Sequence, residues 1–249
     1  MGQRNIRVVL AYDGNGFYGW QYQKKGRTVQ GVLMEALARM HHHPIKIYGS
    51  SRTDSGVHAT GQVANFITDI SSIKGREFAR AINSYLPSDI KVLGSEEVDM
   101  NFHSRFNAKR RTYKYQLLTA EVCPPQYRNY CFLLKRRPDV MLLNRYAASI
   151  VGSRDFTTFS AAGDRSNSKV REVYEASFYI ESPYLIFKIT ANAFLWKMVR
   201  SILGTMLELE KCGRDEKVME ELLAARDRNL AGETMPARGL FLTRVEYDE

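Results

Sequence analysis

The segment Gly49 to Phe66 is suited to tight turns and carries one acid, Asp54, close to the basic side chains of Arg52 and His58. An ionised carboxylate can act as a nucleophile or as a base, and a nearby arginine stabilises its charged form. The same residues also suit a structural role, in which Asp54 bonds to nearby backbone N–H groups in an Asx-type turn and Gly56 supplies a positive φ. The residue types alone leave both interpretations open.

Apolar, β-branched runs flank this polar segment and predict that it joins two strands. The first run covers residues 45–49 and the second covers residues 61–67. Loops that join regular elements often carry catalytic and binding residues. We therefore expect Asp54 to lie at the mouth of a sheet.

The first half of the chain has the pattern of a β-α-β-β-α-β unit. A strand is predicted at 6–12, followed by a glycine-rich loop and by a helix that begins near Thr28 and ends before Pro44. The helix is amphipathic, because apolar side chains recur at helical spacing at Val29, Val32, Leu33, Leu37 and Met40. After the strand at 45–49, further elements are predicted in the order strand, helix, strand, at 61–67, 75–86 and 90–98.

The second half repeats this order without a repeat at the level of residues. Its elements are predicted as a strand at 111–119, a helix at 139–151, strands at 170–180 and 184–191, helices at 193–210 and 215–225, and a strand at 240–247. The segment Cys123 to Pro138 is interpreted as a crossover or an inserted loop, because it contains Pro124-Pro125 and several aromatic residues. The pattern predicts an α+β protein of two similar halves.

Composition favours a polyanionic partner. The chain has 249 residues, enough for one large domain or two closely packed halves, and a net charge of +9. An excess of cations steers association with polyanions, although it does not distinguish RNA from DNA. The basic runs Lys109–Arg111 and Lys135–Arg137 favour nucleic acid over a merely soluble basic protein.

Cysteine usage and hydropathy predict a cytoplasmic protein. Cys123, Cys131 and Cys212 are too widely spaced for a Cys-x-x-Cys motif, and their odd number argues against a disulfide framework. Residues 1–4 lead directly into the first predicted strand, and no stretch approaches 18 uncharged apolar residues. No membrane association is expected.

The run His41-His42-His43 could suggest a metal site. Adjacent residues on a helix point in different directions, however, and no set of cysteines or carboxylates accompanies the run. We expect an exposed helix terminus, where an imidazolium suits the helix dipole.

Four stretches together resemble the TruA family of tRNA pseudouridine synthases. Arg52 to Ala59 matches the signature Gly-Arg-Thr-Asp-Ala-Gly-Val-His-Ala, with Ser51 in place of the first Gly and Ser55 in place of the first Ala. The other three are similar to the N-terminal pattern, the central tyrosine strand and a late helix of the family, at 12–30, 109–115 and 193–200. The match runs in one order from about Arg7 to the strand at 239–242, which makes it more specific than any single motif.

The resemblance implies a fold, a substrate and a reaction. The fold is α+β, with two ferredoxin-like or RRM-like halves that form an extended antiparallel sheet with a central basic cleft. The half at 1–105 carries the catalytic aspartate loop, and the half at 106–249 carries an active-site tyrosine and arginine. Members act as homodimers on the anticodon stem-loop of tRNA and isomerise uridine at positions 38, 39 and 40. The isomerisation adds and removes no atoms, so tRNA is the expected partner and no DNA, cofactor or metal is expected.

The resemblance also assigns roles to individual residues. It makes Asp54 the catalytic aspartate, pairs Arg200 with it, and places Tyr113 where it stacks on a flipped uracil. Without the resemblance, Arg200 could form a stabilising ion pair or extend from an apolar helix face to solvent. Tyr113 could belong to the core together with Tyr115 and Leu117, because the three alternate along one face of a strand.

The remaining candidates are basic residues. Arg52 resembles the arginine that fills the space left by the extruded base, where its planar guanidinium can stack and donate hydrogen bonds. Five others are assigned only phosphate contacts, which position RNA without reading its sequence: Arg27, Lys109, Arg110, Arg111 and Lys197. Each of these could instead belong to a solvated basic face. His58 is interpreted as structural or as close to the RNA.

Two other functions fit parts of the sequence. A non-catalytic tRNA-binding chaperone could use the same basic cleft, but a carboxylate facing a bound polyanion would be unfavourable in a protein that only binds. A hydrolase with an aspartate nucleophile would need a second carboxylate or a metal cluster. Asp69 is the only other acid near Asp54 in the sequence.

Overall fold

The computed structural model describes residues 2–248. The chain divides into two compact units, a first unit of Met1–Lys109 with Phe241–Glu249 and a second unit of Arg110–Leu240. Each unit has helices packed on a mostly antiparallel sheet, which confirms the predicted α+β class.

The elements follow one another along the chain with the following bounds. They are β1 (Arg4–Tyr12), α1 (Val29–His41), β2 (Ile47–Gly49), β3 (His58–Thr68), α2 (Phe78–Asn83), β4 (Ile90–Val98), β5 (Arg110–Thr119), β6 (Phe132–Leu134), α3 (Val140–Ser149), β7 (Gly152–Asp155), β8 (Val170–Glu181), β9 (Tyr184–Ala191), α4 (Met198–Lys211), α5 (Val218–Ala225) and β10 (Leu240–Glu246).

The sheet of the first unit is built around β3. Its strands lie in the order β4, β1, β3, β10, and β2 also pairs with β3. The β1 and β4 pairings are antiparallel, whereas β10 runs parallel to β3, with Phe241 opposite His58 and Leu242 opposite Ala59. The start of β3, immediately after the Asp54 loop, is therefore held by strands on both sides.

Helix α1 begins and ends where its sequence predicts. The side chain of Thr28 caps it by accepting a hydrogen bond from the N–H of Gly31 at 3.2 Å. The helix ends at His42, which has a left-handed φ of 60°.

The expectation of an exposed histidine run is wrong for His41. Its ring nitrogens lie 2.8 Å from the carbonyl of Leu37 and 2.8 Å from the hydroxyl of Thr68, and the residue is buried. Burial holds the pKa of His41 below its ordinary value. His42 and His43 are exposed, as expected.

The second unit orders its strands as β5, β9, β8, β7, with β6 parallel to β5. Helix α3 packs against β8, and Asp139 caps it by accepting from the N–H groups of Met141 and Leu142. The sequence did not predict strands β6 and β7, because neither short segment shows an alternation of apolar and polar residues. β6 lies inside the segment interpreted as a crossover.

The fold brings two cysteines together that sequence spacing separates. The sulfur atoms of Cys123 and Cys131 lie 4.0 Å apart, and both cysteines are free. Burial, with the neighbouring Cys123, raises the pKa of the Cys131 thiol to about 12.

No helix within residues 2–248 combines the length and the apolar character that crossing a membrane requires.

Two glycines of the first sheet offer a matched test of its packing. A Cβ at Gly61 in β3 would lie 2.1 Å from the backbone oxygen of Thr243 in β10, whereas a Cβ at Gly94 in β4 would meet no heavy atom within 4 Å. We expect Gly61→Ala to lower the free energy of unfolding by about 2 kcal/mol or more, because strand backbones cannot move apart cheaply. Gly94→Ala should change it by less than about 1 kcal/mol. Urea denaturation measures both, and equal losses would contradict the close approach of β10 to β3.

Candidate active site

Asp54 lies half-buried in the loop between β2 and β3. The N–H of Val57 donates to the carbonyl of Asp54 at 3.1 Å, and Gly56 has a φ of 77°. Residues 54–57 therefore form a turn that needs glycine at its third position, and the positive φ expected there is confirmed.

Residues 17–20 fix the position of this loop through backbone hydrogen bonds. The N–H of Trp20 donates to the carbonyl of Thr53 at 3.1 Å, and the N–H of Gly56 donates to the carbonyl of Phe17 at 3.3 Å. Gly19 has a φ of 84°, and a Cβ on it would lie 2.5 Å from the oxygen of Thr53. The two backbones can approach this closely because residue 19 is glycine.

His58 has a structural role. It is 1% exposed, its Nδ1 accepts the N–H of Gly14 at 3.0 Å, and its ring stacks on Phe241 with centroids 4.6 Å apart. These contacts tie the start of β3 to the loop after β1 and to β10.

The structure places Arg52 and Arg27 in different surroundings on the first unit. Arg52 is exposed. Arg27 donates to both carboxylate oxygens of Asp89, at 2.6 and 2.8 Å, and its guanidinium lies 4.1 Å from the ring centroid of Phe17. The hydrogen bonds between Arg27 and Asp89 raise the pKa of Arg27 and lower that of Asp89. An RNA phosphate would therefore compete with a protein carboxylate for Arg27.

Tyr113 lies on β5 with its side chain packed inside the second unit. The residue is 5% exposed, and its ring meets Phe194 edge to face with centroids 5.0 Å apart. The predicted alternation is confirmed, since Tyr115 and Leu117 are also buried. The hydroxyl of Tyr115 donates to the carbonyl of Pro236 at 2.8 Å, and burial raises the pKa of Tyr115 above its ordinary value.

Arg200 lies in the first turn of α4 and is anchored to Met235. Its Nε donates to the carbonyl of Met235 at 2.6 Å, and its own carbonyl accepts the N–H of Met235 at 3.1 Å. This pair of hydrogen bonds fixes the direction of the half-buried guanidinium.

The prediction that a helix begins at residue 193 is wrong, because α4 begins at Met198. Lys197 has a left-handed φ of 62°, and residues 193–197 form a loop instead. The N–H of Trp196 donates to the Oδ2 of Asp164 at 2.7 Å, and the carbonyl of Trp196 accepts the N–H of Ala161 at 2.9 Å. These long-range hydrogen bonds replace the helical ones.

Asp164 is the anchor of this loop, and the sequence did not single it out. Its side chain is 5% exposed and bonds to the Nζ of Lys169 at 2.5 Å and to the N–H of Ser166 at 2.9 Å, besides Trp196. Burial alone would raise the pKa of Asp164, but these hydrogen bonds outweigh it and hold the pKa well below its usual range. Asp164 therefore remains ionised in the folded protein.

The remaining basic candidates differ in exposure. Lys109 is exposed and pairs with Asp248 at 2.8 Å. Arg110 is exposed, and its guanidinium lies 4.5 Å from the ring centroid of Tyr174. Arg111 is 7% exposed and donates to the carbonyl of Asn192 at 2.5 Å.

Lys197 is half-buried, and its Nζ lies 5.1 Å from the ring centroid of Trp196. The first unit thus carries Arg27, Arg52, Asp54 and Lys109, and the second carries Arg110, Arg111, Tyr113, Lys197 and Arg200.

Within residues 2–248, no group of three or more His, Cys, Asp or Glu side chains is arranged to hold a metal ion.

Comparison with known proteins gives consistent matches along the chain. A family model described as tRNA pseudouridine synthase matches residues 8–107 and 146–248. A protein named tRNA pseudouridine synthase A from Treponema denticola is 48% identical over 99% of this chain and 94% of its own length. Proteins of the same name from Treponema pallidum and a Thermoanaerobacter species are 44% and 39% identical, over 92% and 98% of this chain and 84% and 100% of their own lengths.

A solved crystal structure of a Cbf5-Nop10-Gar1 complex contains a chain with a TM-score of 0.34 and 12% identity to this one. The likeness covers 96% of this chain and 58% of that chain.

The ionised side chain of Asp164 should make the stability of the protein depend on pH. We expect Asp164→Asn to lower the free energy of unfolding at pH 7 by about 2 kcal/mol, because hydrogen bonds to a charged acceptor are lost or weakened. The folded-state pKa of Asp164 is depressed, so its stabilising contribution is complete above its unfolded pKa of about 3.9 and declines as the pH falls below that value. The difference between the variant and the parent should therefore shrink between about pH 5 and pH 3. Urea denaturation followed by fluorescence measures it.

Asp215→Asn is the control for this experiment. Asp215 is exposed and accepts the N–H of Lys217 at 2.9 Å at the start of a surface turn. Its replacement should cost less than about 1 kcal/mol. A cost for Asp164→Asn that is equally small, or that does not depend on pH, would contradict the anchoring role.

Proposed function

The chain belongs to the tRNA pseudouridine synthase family, and we propose that it isomerises uridine to pseudouridine in the anticodon stem-loop of tRNA, at positions 38, 39 and 40. It is an isomerase, as are the synthases of this name that it matches. The observation that carries the proposal furthest is the placement of Asp54 on a tightly fixed turn, within the segment that resembles the family signature.

The reaction breaks the bond between N1 and C1′ of the nucleotide, turns the base and joins C5 to C1′. C5 loses a proton and N1 gains one, so atoms and electrons balance without a cofactor. The step needs a carboxylate that can act as nucleophile or base near the glycosidic bond. We assign this role to Asp54.

The geometry of the Asp54 turn supports that assignment. A catalytic group must be held close to its productive position, since small displacements cost large factors in rate. Hydrogen bonds from Trp20 and Gly56 anchor the loop on either side of Asp54. The buried hydroxyl of Thr53 also lies 2.9 Å from that of Tyr12. The backbone of Asp54 is therefore preorganised, while Asp54 as a whole remains half-exposed.

The target uridine must leave its stack before these atoms can be reached, so we propose base flipping. Arg52, which is exposed, fills the space that the base leaves, and Tyr113 stacks on the extruded uracil. Tyr113 is only 5% exposed, so the uracil must displace groups that cover its ring. Phe194 meets the Tyr113 ring edge to face, a contact that restrains the orientation of the ring.

Arg200 supplies a cation whose direction is set by its hydrogen bonds to Met235. Its pairing with Asp54 stays a prediction.

The resemblance also supports a homodimer in the cytoplasm, and sedimentation of the purified protein tests the dimer.

Replacement of the proposed catalytic carboxylate is the first test. We expect Asp54→Asn to lower the single-turnover rate of pseudouridine formation by about 10³-fold or more, because an amide cannot serve as nucleophile or base at neutral pH. Release of tritium from tRNA labelled at C5 of uridine reports the rate, and sequencing maps the modified position. The affinity for tRNA should stay within a few-fold of the parent.

Asp69→Asn is the matched control, since Asp69 is an exposed carboxylate of the same unit that pairs with His43 at 2.9 Å. It should turn over at the parental rate. Substantial turnover by Asp54→Asn would remove the catalytic assignment. Tight tRNA binding without turnover by the parent protein would indicate an RNA-binding protein instead of an enzyme.

The adjacent residues Arg110 and Arg111 test the phosphate contacts. Neutralising phosphates releases counterions, so log affinity falls linearly with log salt, with a slope that grows with the number of contacts. We expect Arg110→Gln to weaken tRNA binding and to flatten this slope by about one unit. Arg111 is buried against the carbonyl of Asn192, so Arg111→Gln should lower the stability of the protein more than it changes the slope. Equal slopes for both variants, each one unit flatter than the parent, would instead support the predicted phosphate contact of Arg111.

A further inference from the structure

The first unit presents a stack of three rings on its surface, formed by Tyr48, His103 and Phe106 and here termed the Phe106 stack. The ring centroids of Tyr48 and His103 lie 4.8 Å apart with the ring planes inclined by 45°, and those of His103 and Phe106 lie 4.4 Å apart with the planes inclined by 36°. Phe106 is 75% exposed and Tyr48 is 40% exposed. The stack therefore ends in an aromatic ring that solvent reaches.

Ser104 fixes the loop that carries two of these rings. It is fully buried, its N–H donates to the Oδ1 of Asn65 at 2.9 Å, and its hydroxyl donates to the carbonyl of Tyr48 at 2.6 Å. Its carbonyl accepts the hydroxyl of Tyr247 at 2.7 Å. All the polar groups of this serine are used to hold the loop against the sheet.

A buried pair of asparagines anchors the start of the same loop. Asn5 and Asn65 are 1% and 3% exposed, and the Nδ2 of Asn65 donates to the Oδ1 of Asn5 at 3.0 Å. The Nδ2 of Asn5 donates to the carbonyls of Phe102 and Asp99 at 2.8 and 3.0 Å. Buried amides are costly unless they are satisfied, so this network strongly favours one backbone conformation.

The tip of the loop is closed by its own residues. The N–H of His103 donates to the Oδ1 of Asn107 at 2.6 Å, and the N–H of Asn107 donates to the carbonyl of His103 at 3.0 Å. The Nδ1 of His103 accepts the N–H of Arg105 at 3.1 Å. These hydrogen bonds fix the backbone on both sides of Phe106, whose side chain is exposed.

The surroundings of Phe106 favour a nucleobase as its partner. A protein interface needs a contiguous apolar core, but the neighbours of Phe106 in the loop are Arg105 and Asn107, which are polar and exposed. The guanidinium of Arg105 lies 5.8 Å from the centroid of the Phe106 ring, and no acidic residue occurs between Phe102 and Lys109. An exposed ring beside a cation, on a chain of net charge +9, suits a base that is attached to phosphates.

We propose that Phe106 stacks on an unpaired base of the bound tRNA and so extends the Phe106 stack by one ring. The proposal rests on the proposed function, since it names a second contact with the same substrate. Base-aromatic stacking tolerates any base because every base has a π-face, so Phe106 contributes affinity and orientation and does not select a sequence. The preformed loop lowers the entropy cost of this contact.

Removal of the ring tests the proposal. Phe106→Ala should weaken the binding of tRNA by about tenfold and leave the slope of log affinity against log salt unchanged, because no charge is removed. Tyr85→Ala is the control, since Tyr85 is 42% exposed on the same unit and lies outside the stack. The Tyr85→Ala variant should bind tRNA with the affinity of the parent.

A fluorescence measurement gives a readout that a purely structural role would not move. In a Trp196→Phe background, Phe106→Trp should bind tRNA as tightly as Trp196→Phe alone, and its fluorescence should be quenched when tRNA is added. The Trp196→Phe protein, whose remaining tryptophan is the buried Trp20, measures the background change that is subtracted. If Phe106→Ala fails to fold, the quenching in Phe106→Trp decides the question.

The outcomes separate this proposal from the proposed function. A parent protein that forms pseudouridine, together with parental affinity in Phe106→Ala or no quenching in Phe106→Trp, would overturn the stacking proposal alone. A change in the sedimentation of Phe106→Ala with unchanged tRNA affinity would also overturn it, and would assign the surface to contacts between copies of the chain. A parent protein that neither binds nor modifies tRNA would overturn both proposals.

Discussion

The close backbone approach of residues 17–20 to the Asp54 loop is the constraint on which the candidate site depends. The loop between β2 and β3 has few apolar side chains to bury, so its position is set by backbone hydrogen bonds from Trp20 and Gly56. Those hydrogen bonds require Gly19, because a Cβ there would lie 2.5 Å from the carbonyl oxygen of Thr53. The indole of Trp20 adds a second constraint, since a Cβ at Gly49 would meet it at 2.3 Å. Glycines and one buried tryptophan thus convert a polar loop into a fixed support for a carboxylate.

Sequence patterns predicted the elements whose stability is local and missed those that depend on distant partners. The spacing of Val29, Leu33 and Leu37 with a cap at Thr28 is sufficient to define α1, and the structure confirms it. Residues 193–197 continue an apolar spacing that looks helical, but the carboxylate of Asp164 binds the N–H of Trp196 and delays the helix to Met198. No pattern within the segment could show this, because Asp164 lies 32 residues earlier in the chain. The burial of His41 has the same origin, in a hydrogen bond to Thr68.

The candidate residues themselves were found through the resemblance, while their surroundings had to come from the structure. Charge counts treat all arginines alike, yet Arg27 is held by Asp89 and Arg111 is buried against a backbone carbonyl. Arg52 and Arg110 are exposed. The 36 lysines and arginines of the chain therefore differ in whether they can bind a phosphate without first giving up a protein partner. The fold decides which cations are available to bind a phosphate, because acids and carbonyls from other segments of the chain bind some of them.

Rigid loops held by buried polar groups recur at the places where this chain is expected to meet RNA. Asp54 stands on a turn that neighbouring backbone fixes, Lys197 stands on a loop that Asp164 fixes, and Phe106 stands on a loop that Asn5, Asn65 and Ser104 fix. Each arrangement places hydrogen bonds in segments that contribute little to a hydrophobic core. This is explained if the segments must keep one conformation before the substrate arrives, so that binding energy goes into extracting the base instead of ordering the protein.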